Sequence, residues 1–262
     1  MRFDSLESSH VLTRREALRL GAAAGAALLG GCRTAAHVDA TTTGPGRLRQ
    51  RPVGPLAPPP AGLGPLGLSS GRDGLLYVPS AYHAGSPAPL VLMLHGAGRA
   101  SNESIQAFLP VADSAGLVVL APDSRGRTWD FLYGPYEADV AFIDSALEHV
   151  FHRCAIDPAR VAIAGFSDGA SYALSLGLTN GDLFSRVIAF SPCILAPAAY
   201  VGHPRIFISH GTDDRVLPVE RCGRFLAERL RSKGYDVTYR EFAGPHTVPR
   251  AIVEESLAWM GS

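Results

Sequence analysis

The stretch that most constrains this chain is Val161-Ala162-Ile163-Ala164-Gly165-Phe166-Ser167-Asp168-Gly169-Ala170, an apolar run that passes through Gly-x-Ser-x-Gly into a helix-prone segment. A serine set between two such glycines can occupy a strained strand-to-helix turn, because glycine lets strand and helix approach without a Cβ clash. The turn lifts the serine hydroxyl clear of the backbone. Ser167 is therefore the candidate nucleophile. A pattern with so few fixed letters recurs in many chains, so the rest of the sequence has to supply its partners.

From about Leu68 onward, short apolar runs alternate with amphipathic segments, the pattern of an α/β fold with a mostly parallel sheet and helices on both faces. Seven strands are expected. They are Gly74 to Pro79 at an edge, the continuously apolar and hence central Leu90 to Leu94, Leu117 to Ala121, the run from Val161, Arg186 to Phe190, Arg205 to Ser209, and Val237 to Phe242. The helices expected are Ile105 to Gly116, interrupted near Pro110, then Glu137 to Phe151, and the segment after Ser167 to about Leu178. Two more follow, Val219 to Lys233 with its stop at Gly234 and Pro249 to Met260. In the second of these five, Val140, Ile143, Leu147, Val150 and Phe151 form one stripe at helical spacing. With 262 residues, 47 % of them hydrophobic, the chain can bury one substantial core. Residues 68–262 are expected to form that domain.

The first 32 residues read as a targeting segment. Arg14-Arg15 precedes an apolar run from Leu20 to Gly31 that is too short to span a bilayer, which resembles a bacterial twin-arginine export signal. Leu29-Gly30-Gly31-Cys32 then looks like a lipoprotein processing site, with Cys32 as the lipidated residue. The expectation is an exported protein, either held to a membrane only through that anchor or, with a plain signal cleaved nearby, free in the periplasm or outside the cell. Between Gly44 and Gly67, 13 of 24 residues are Gly or Pro, so residues 33–67 read as a disordered tether. Gly62-Leu63-Gly64-Pro65-Leu66-Gly67 formally matches a dinucleotide fingerprint, but no strand precedes it and Pro65 interrupts the helix that should follow. With Cys32 in the lipid site, Cys154, Cys193 and Cys222 remain. Cys193 and Cys222 both follow strand ends on one rim of the sheet and are the expected disulfide, the alternative being three half-buried thiols.

The 24 basic and 24 acidic residues cancel without a basic stripe, which argues against a nucleic-acid partner. In open parallel sheets, chemistry gathers at the carboxyl ends of the strands. Here the Leu90 strand ends in His95-Gly96-Ala97-Gly98, the Arg205 strand in His210-Gly211-Thr212-Asp213-Asp214, and the last strand in Ala243-Gly244-Pro245-His246. A serine hydroxyl needs an imidazole to take its proton and a carboxylate to fix the imidazole tautomer. His246 supplies the first, and Asp213 or Asp214 the second, since spacing does not decide between adjacent residues. Their chain order is serine, aspartate, histidine.

These motifs resemble an α/β-hydrolase of the phospholipase/carboxylesterase and polyhydroxybutyrate depolymerase-like esterase group. The resemblance rests on Leu94 to Gly98, Ile156 to Val161, Gly165 to Gly169, and His210 to Pro218, and so spans nearly the whole domain. It implies an α/β-hydrolase fold and a serine esterase; no insertion between the strands is long enough to form a large lid, so an open cleft taking short-chain, aryl or oligomeric polyester substrates is expected. It selects Asp214 as the acid, the fifth residue of a His-Gly-x-x-Asp-x-Val-x-Pro stretch, and places the oxyanion donors at the backbone N–H groups of Ala97 and Asp168. Two positions depart from common patterns: alanine rather than cysteine at 97, and Pro245 rather than glycine before His246. The triad does not encode the leaving group, so a peptidase or thioesterase is the alternative reading, and a non-catalytic binding lipoprotein a third.

Among the remaining candidates, the aromatic stretch carrying Trp129 and Tyr133 lies on the same rim and reads either as a substrate wall, with these two residues forming it, or as a satellite hydrophobic cluster. His95 and His210 read as loop braces. His149 and His152 sit three apart with no third ligand pattern, which reads as a solvated helix end rather than zinc. The expected chemistry uses no metal and no organic cofactor, and a monomer is expected.

Overall fold

The computed structural model describes residues 44–55 and 59–261, so the segment expected to be an export signal, and Cys32, lie outside the described residues. The fold is built on one eight-stranded sheet: β1 (Gly62–Pro65), β2 (Gly74–Val78), β3 (Ala88–Leu94), β4 (Val118–Pro122), β5 (Ile156–Phe166), β6 (Arg186–Phe190), β7 (Arg205–Gly211) and β8 (Val237–Phe242). Their order is β1-β2-β4-β3-β5-β6-β7-β8. The strands from β4 to β8 pair in parallel, while β1 and β2 run antiparallel at one side.

Alternation along the central strands divides the core into two layers. Leu90, Leu92 and Leu94 face one side, together with Ile143 and Leu147 of α3 (Ala138–Arg153), Leu174 of α4 (Asp168–Thr179) and Leu230 of α5 (Phe225–Ser232). Val91 and Met93 face the other side, with Phe108 beside α2 (Leu109–Ala112) and Ile252 of α6 (Arg250–Met260). The continuously apolar β3 is buried at every position because both of its faces are covered.

Two expectations need correction. The segment expected to be a tether contains β1, which pairs with β2 from Gly62 opposite Val78 to Pro65 opposite Leu75. The expected edge strand, β2, is therefore interior. Pro65 is tolerated because β1 is itself the edge, where a missing N–H interrupts no second ladder. Farther upstream, residues 46–50 are docked on the domain. Leu48 is fully buried, its N–H donates to Asn180 Oδ1 at 2.8 Å, and Asn180 Nδ2 donates to the Gly46 carbonyl at 2.8 Å. The Arg47 guanidinium forms a two-point pair with the Asp182 carboxylate at 2.9 and 2.7 Å.

Two helical segments also differ in detail. The region expected as one helix from Ile105 opens earlier, as α1 (Ser101–Ser104), then becomes a tight 3-10 turn, then α2. The expected helix from Val219 begins with a wide π-type turn over Glu220–Arg224 before α5. The Gly234 stop is present, at φ +86°.

Candidate active site

Connections leaving β3 and β5 part in opposite directions, since β4 lies to one side of the pair and β6 to the other. Such a parting opens a crevice at the strand carboxyl ends. The residues at its mouth are the His95–Gly98 loop after β3 and Ser167 after β5.

Ser167 has φ +58° and ψ −121°, a left-handed backbone that a non-glycine residue rarely adopts. The flanking glycines are required by contact. A Cβ on Gly165 would lie 2.2 Å from the Gly169 carbonyl oxygen, and one on Gly169 2.3 Å from that of Leu94. The Ser167 N–H donates to the Phe190 carbonyl at 2.9 Å, tying the turn to β6. Ser167 also caps the amino end of α4, whose dipole favours negative charge there.

The three candidate triad residues come together. His246 Nε2 is 2.9 Å from Ser167 Oγ, and His246 Nδ1 is 2.5 Å from Asp214 Oδ2. The other Asp214 oxygen accepts the N–H groups of Val216 at 2.9 Å and Leu217 at 2.8 Å. Burial pushes the Asp214 carboxyl upward, but the Leu217 N–H, His246 and the Val216 N–H outweigh it and hold the group below its ordinary value. The adjacent Asp213 takes another role: its N–H donates to the Gly244 carbonyl at 3.0 Å. Gly211 permits that approach, since a Cβ there would meet the same oxygen at 2.4 Å. The loop carrying His246 is thereby pinned to the loop carrying Asp214, and the Phe166 ring packs 4.6 Å from the imidazole.

The Ala97 turn lies beside Ser167, since a Cβ on Gly96 would be 3.4 Å from the Ser167 Cβ. Gly98 N–H binds the Arg127 carbonyl at 2.7 Å, while the N–H groups of Ala97 and Asp168 donate to no backbone carbonyl among the described residues. Thr128 Oγ1 holds the Asp168 carboxylate at 2.9 Å. Beneath this turn, His95 Nδ1 donates to the Gly96 carbonyl at 2.8 Å and Nε2 accepts from Ser124 N–H at 2.9 Å, which sets its tautomer. Burial pushes the His95 imidazole down.

Trp129 is not a wall of the cleft. It is fully buried, stacked between His95 and Tyr172 with ring centroids at 4.7 and 5.1 Å. Its indole N–H donates to the His95 carbonyl at 2.8 Å. An aromatic ring with one polar atom satisfies both needs by packing under the loop. Tyr133, by contrast, is 85 % exposed. It borders a cavity of about 600 Å³ together with Ala97, Gly98, Arg127 and Thr128. A second cleft of about 450 Å³ adjoins the candidate triad and is lined by Gly96, Phe166, His246 and Val248.

Several supporting residues carried no local sequence signal. The nearly buried Asp139 accepts the N–H groups of Arg125 and Asp130, at 2.5 and 2.6 Å, shaping the loop above Trp129. Ser171 Oγ accepts the N–H groups of Cys193 and Ile194. Cys193 and Cys222 form the expected disulfide, leaving Cys154 buried as a thiol. His149 pairs with Arg153, and His152 with the Glu148 carbonyl.

Residues 139–257 match the model of the phospholipase/carboxylesterase family. The protein named "Probable feruloyl esterase C" of Aspergillus niger is 30 % identical over 175 residues, which cover 62 % of this chain and 61 % of that protein. Feruloyl esterase C of Emericella nidulans is 28 % identical, covering 58 % of each. The chain thus spans about three fifths of the length of these curated relatives. Among solved structures, the crystal structure of esterase PE8 superposes with a TM-score of 0.59 at 24 % identity, covering 72 % of this chain and 97 % of the other. By its sheet order, its serine turn after β5 and the likeness to solved esterase structures, the chain has the α/β-hydrolase fold, and its residues 139–257 are similar to the phospholipase/carboxylesterase family.

Proposed function

We propose that the protein is a serine hydrolase of carboxylic esters. The observation that carries this reading is the unbroken contact from Ser167 Oγ to His246 and on to Asp214. In the proposed reaction Ser167 Oγ attacks the ester carbonyl carbon while His246 Nε2 takes the hydroxyl proton. The resulting oxyanion is met by the N–H groups of Ala97 and Asp168, beside the positive end of α4. One such donor typically contributes about 3 to 4 kcal/mol to the barrier reduction. As the ester C–O bond breaks, His246 returns the proton to the departing alcohol, leaving an acyl group on Ser167. Water, deprotonated by the same nitrogen, then releases the acid and restores the serine.

Short-chain and aryl esters are the proposed substrates, with soluble polyester oligomers beside them. The open cleft at His246 supports compact leaving groups, and the relatives named as feruloyl esterases support aryl acyl groups. Export and membrane anchoring at Cys32 belong to the same proposal, on the strength of Arg14-Arg15 and the Leu29 to Cys32 stretch. The test is turnover of p-nitrophenyl esters from acetate to palmitate and of methyl esters of hydroxycinnamic acids. The reading predicts measurable turnover, greatest for short or aryl acyl groups, and lost in Ser167→Ala. Folded protein with no turnover across the panel contradicts it.

A further inference from the structure

We propose that His210 is a positioning residue of this site, holding the Asp214 carboxylate in the orientation that His246 requires. The inference rests on the triad reading above and adds a group which that mechanism does not use.

His210 sits near the end of β7 with its side chain fully buried. Its Nε2 lies 2.7 Å from the Leu217 carbonyl oxygen. A carbonyl can only accept, so Nε2 carries the hydrogen and donates it there. The same nitrogen stands 3.3 Å from Asp214 Oδ2, the oxygen that His246 Nδ1 contacts. Nδ1 of His210 is buried and has no hydrogen-bond partner among the described residues, so it is the nitrogen without a hydrogen. Burial pushes this imidazole below its ordinary value, against the opposing pull of the Leu217 carbonyl and Asp214, so the ring is neutral near pH 7.

This placement acts on both oxygens of Asp214. By fixing the Leu217 carbonyl, the ring locks the short turn whose Val216 and Leu217 N–H groups bind Oδ1. By presenting its N–H edge, it faces Oδ2 with the positive end of a dipole. The ring is itself confined. A Cβ on Gly223, in the wide turn before α5, would lie 2.6 Å from His210 Nδ1. The neighbouring Cys222 is tied by the disulfide to Cys193. Any larger residue at 223 would push the ring out of register with Leu217.

The position requires a donor at the Nε2 site and nothing at the Nδ1 site, which amide substitutions separate. Glutamine carries its amide at a reach similar to Nε2, whereas asparagine carries it near Nδ1, and leucine keeps bulk without a donor. The full chain would be assayed as wild type, His210→Gln, His210→Asn, His210→Leu and Gly223→Ala. Measurements are kcat and KM on p-nitrophenyl acetate, the rate of fluorophosphonate labelling, and near-ultraviolet circular dichroism for the fold.

Loss of one such hydrogen bond predicts that kcat falls about 10-fold to 100-fold in His210→Asn and His210→Leu. KM stays within about 2-fold, because His210 is buried and offers no surface to substrate. His210→Gln retains most of kcat, and labelling rates follow kcat. Gly223→Ala, which displaces the ring without altering it, lowers kcat in the same way and covers the case in which a His210 variant does not fold. Wild-type kcat in His210→Leu, or equal losses in His210→Gln and His210→Asn, overturns the inference while leaving the triad reading intact. A wild type that neither turns over nor labels overturns both.

Discussion

His246 Nε2 and Ser167 Oγ stand 2.9 Å apart although 79 positions separate them in the chain. Two local devices make that meeting possible. The left-handed turn at Ser167 raises the hydroxyl above the strand end, and the close approach at Gly211 draws the His246 loop onto the Asp214 loop.

The buried imidazoles set an acid limit on stability. His95 and His210 are both held below the ordinary histidine value of 6.5, chiefly by burial. The unfolded chain therefore binds their protons at a higher pH than the folded one, and stability rises with pH across that window. Their contribution is complete above about pH 6.5 and is lost as pH falls through the depressed folded values. Asp214, also held low, adds a loss of the same sign below its ordinary 3.8. The thermal midpoint should be level between about pH 7 and 8 and decline steadily below about pH 6.5. The double variant His95→Gln, His210→Gln should show a shallower decline. An equally steep one counts against these two groups as the cause.

Trp129 and Tyr133 should separate cleanly. Trp129→Phe removes the hydrogen bond to the His95 carbonyl within a buried stack, and a cost of about 1 to 3 kcal/mol in unfolding free energy is expected. Tyr133→Ala, at an exposed position, should stay within about 0.5 kcal/mol of wild type. Its effect should fall on KM for aryl esters. Denaturant unfolding beside KM measurements decides, and the reverse assignment would restore Trp129 as a wall of the cleft.

The docked amino-terminal segment makes a similar distinction. Leu48 is fully buried, so Leu48→Ala should cost about 2 to 5 kcal/mol. For a domain of this size that corresponds to a thermal midpoint lower by roughly 5 to 15 °C. A free tether would show no change on calorimetry.

The disulfide closes a loop with a sequence separation of 29. The chain-entropy relation gives about 3 to 4 kcal/mol for such a loop, so reduction should lower the midpoint by roughly 10 °C. Cys154 offers an internal control. Burial pushes its thiol up to about 11, and the residue should resist alkylation at about pH 8 until the domain unfolds. Peptide mapping after alkylation, with and without reductant, checks both statements.

What the sequence showed of this molecule was whatever the chain writes locally. The central strands appear as unbroken apolar runs because both of their faces are covered, and all seven of the strands read from the sequence are present. The Ser167 turn shows itself through glycines that steric contact demands. Features that depend on a distant partner were not visible. β1 exists because β2 supplies its hydrogen bonds, so a stretch of Gly and Pro gave no sign of it. The start of α1 is held by Asp123 Oδ1, which accepts the Ser101 N–H from 22 positions away. Trp129 read as a pocket residue because its position on the rim was legible, whereas the Tyr172 ring and the His95 carbonyl that bury it were not. The choice of Asp214 over Asp213 needed the resemblance, since only the folded loops show which carboxylate reaches His246.

The central claim is that Ser167 is the nucleophile, and covalent trapping tests it most directly. The full chain, as wild type, Ser167→Ala and His246→Ala, would be incubated with a fluorophosphonate and digested for mass spectrometry. The account predicts one adduct on the peptide carrying Ser167, no adduct in Ser167→Ala, and slow labelling in His246→Ala. Ester turnover should fall by about 10⁴-fold or more in the serine variant. An adduct on another residue, or turnover that survives Ser167→Ala, would contradict it.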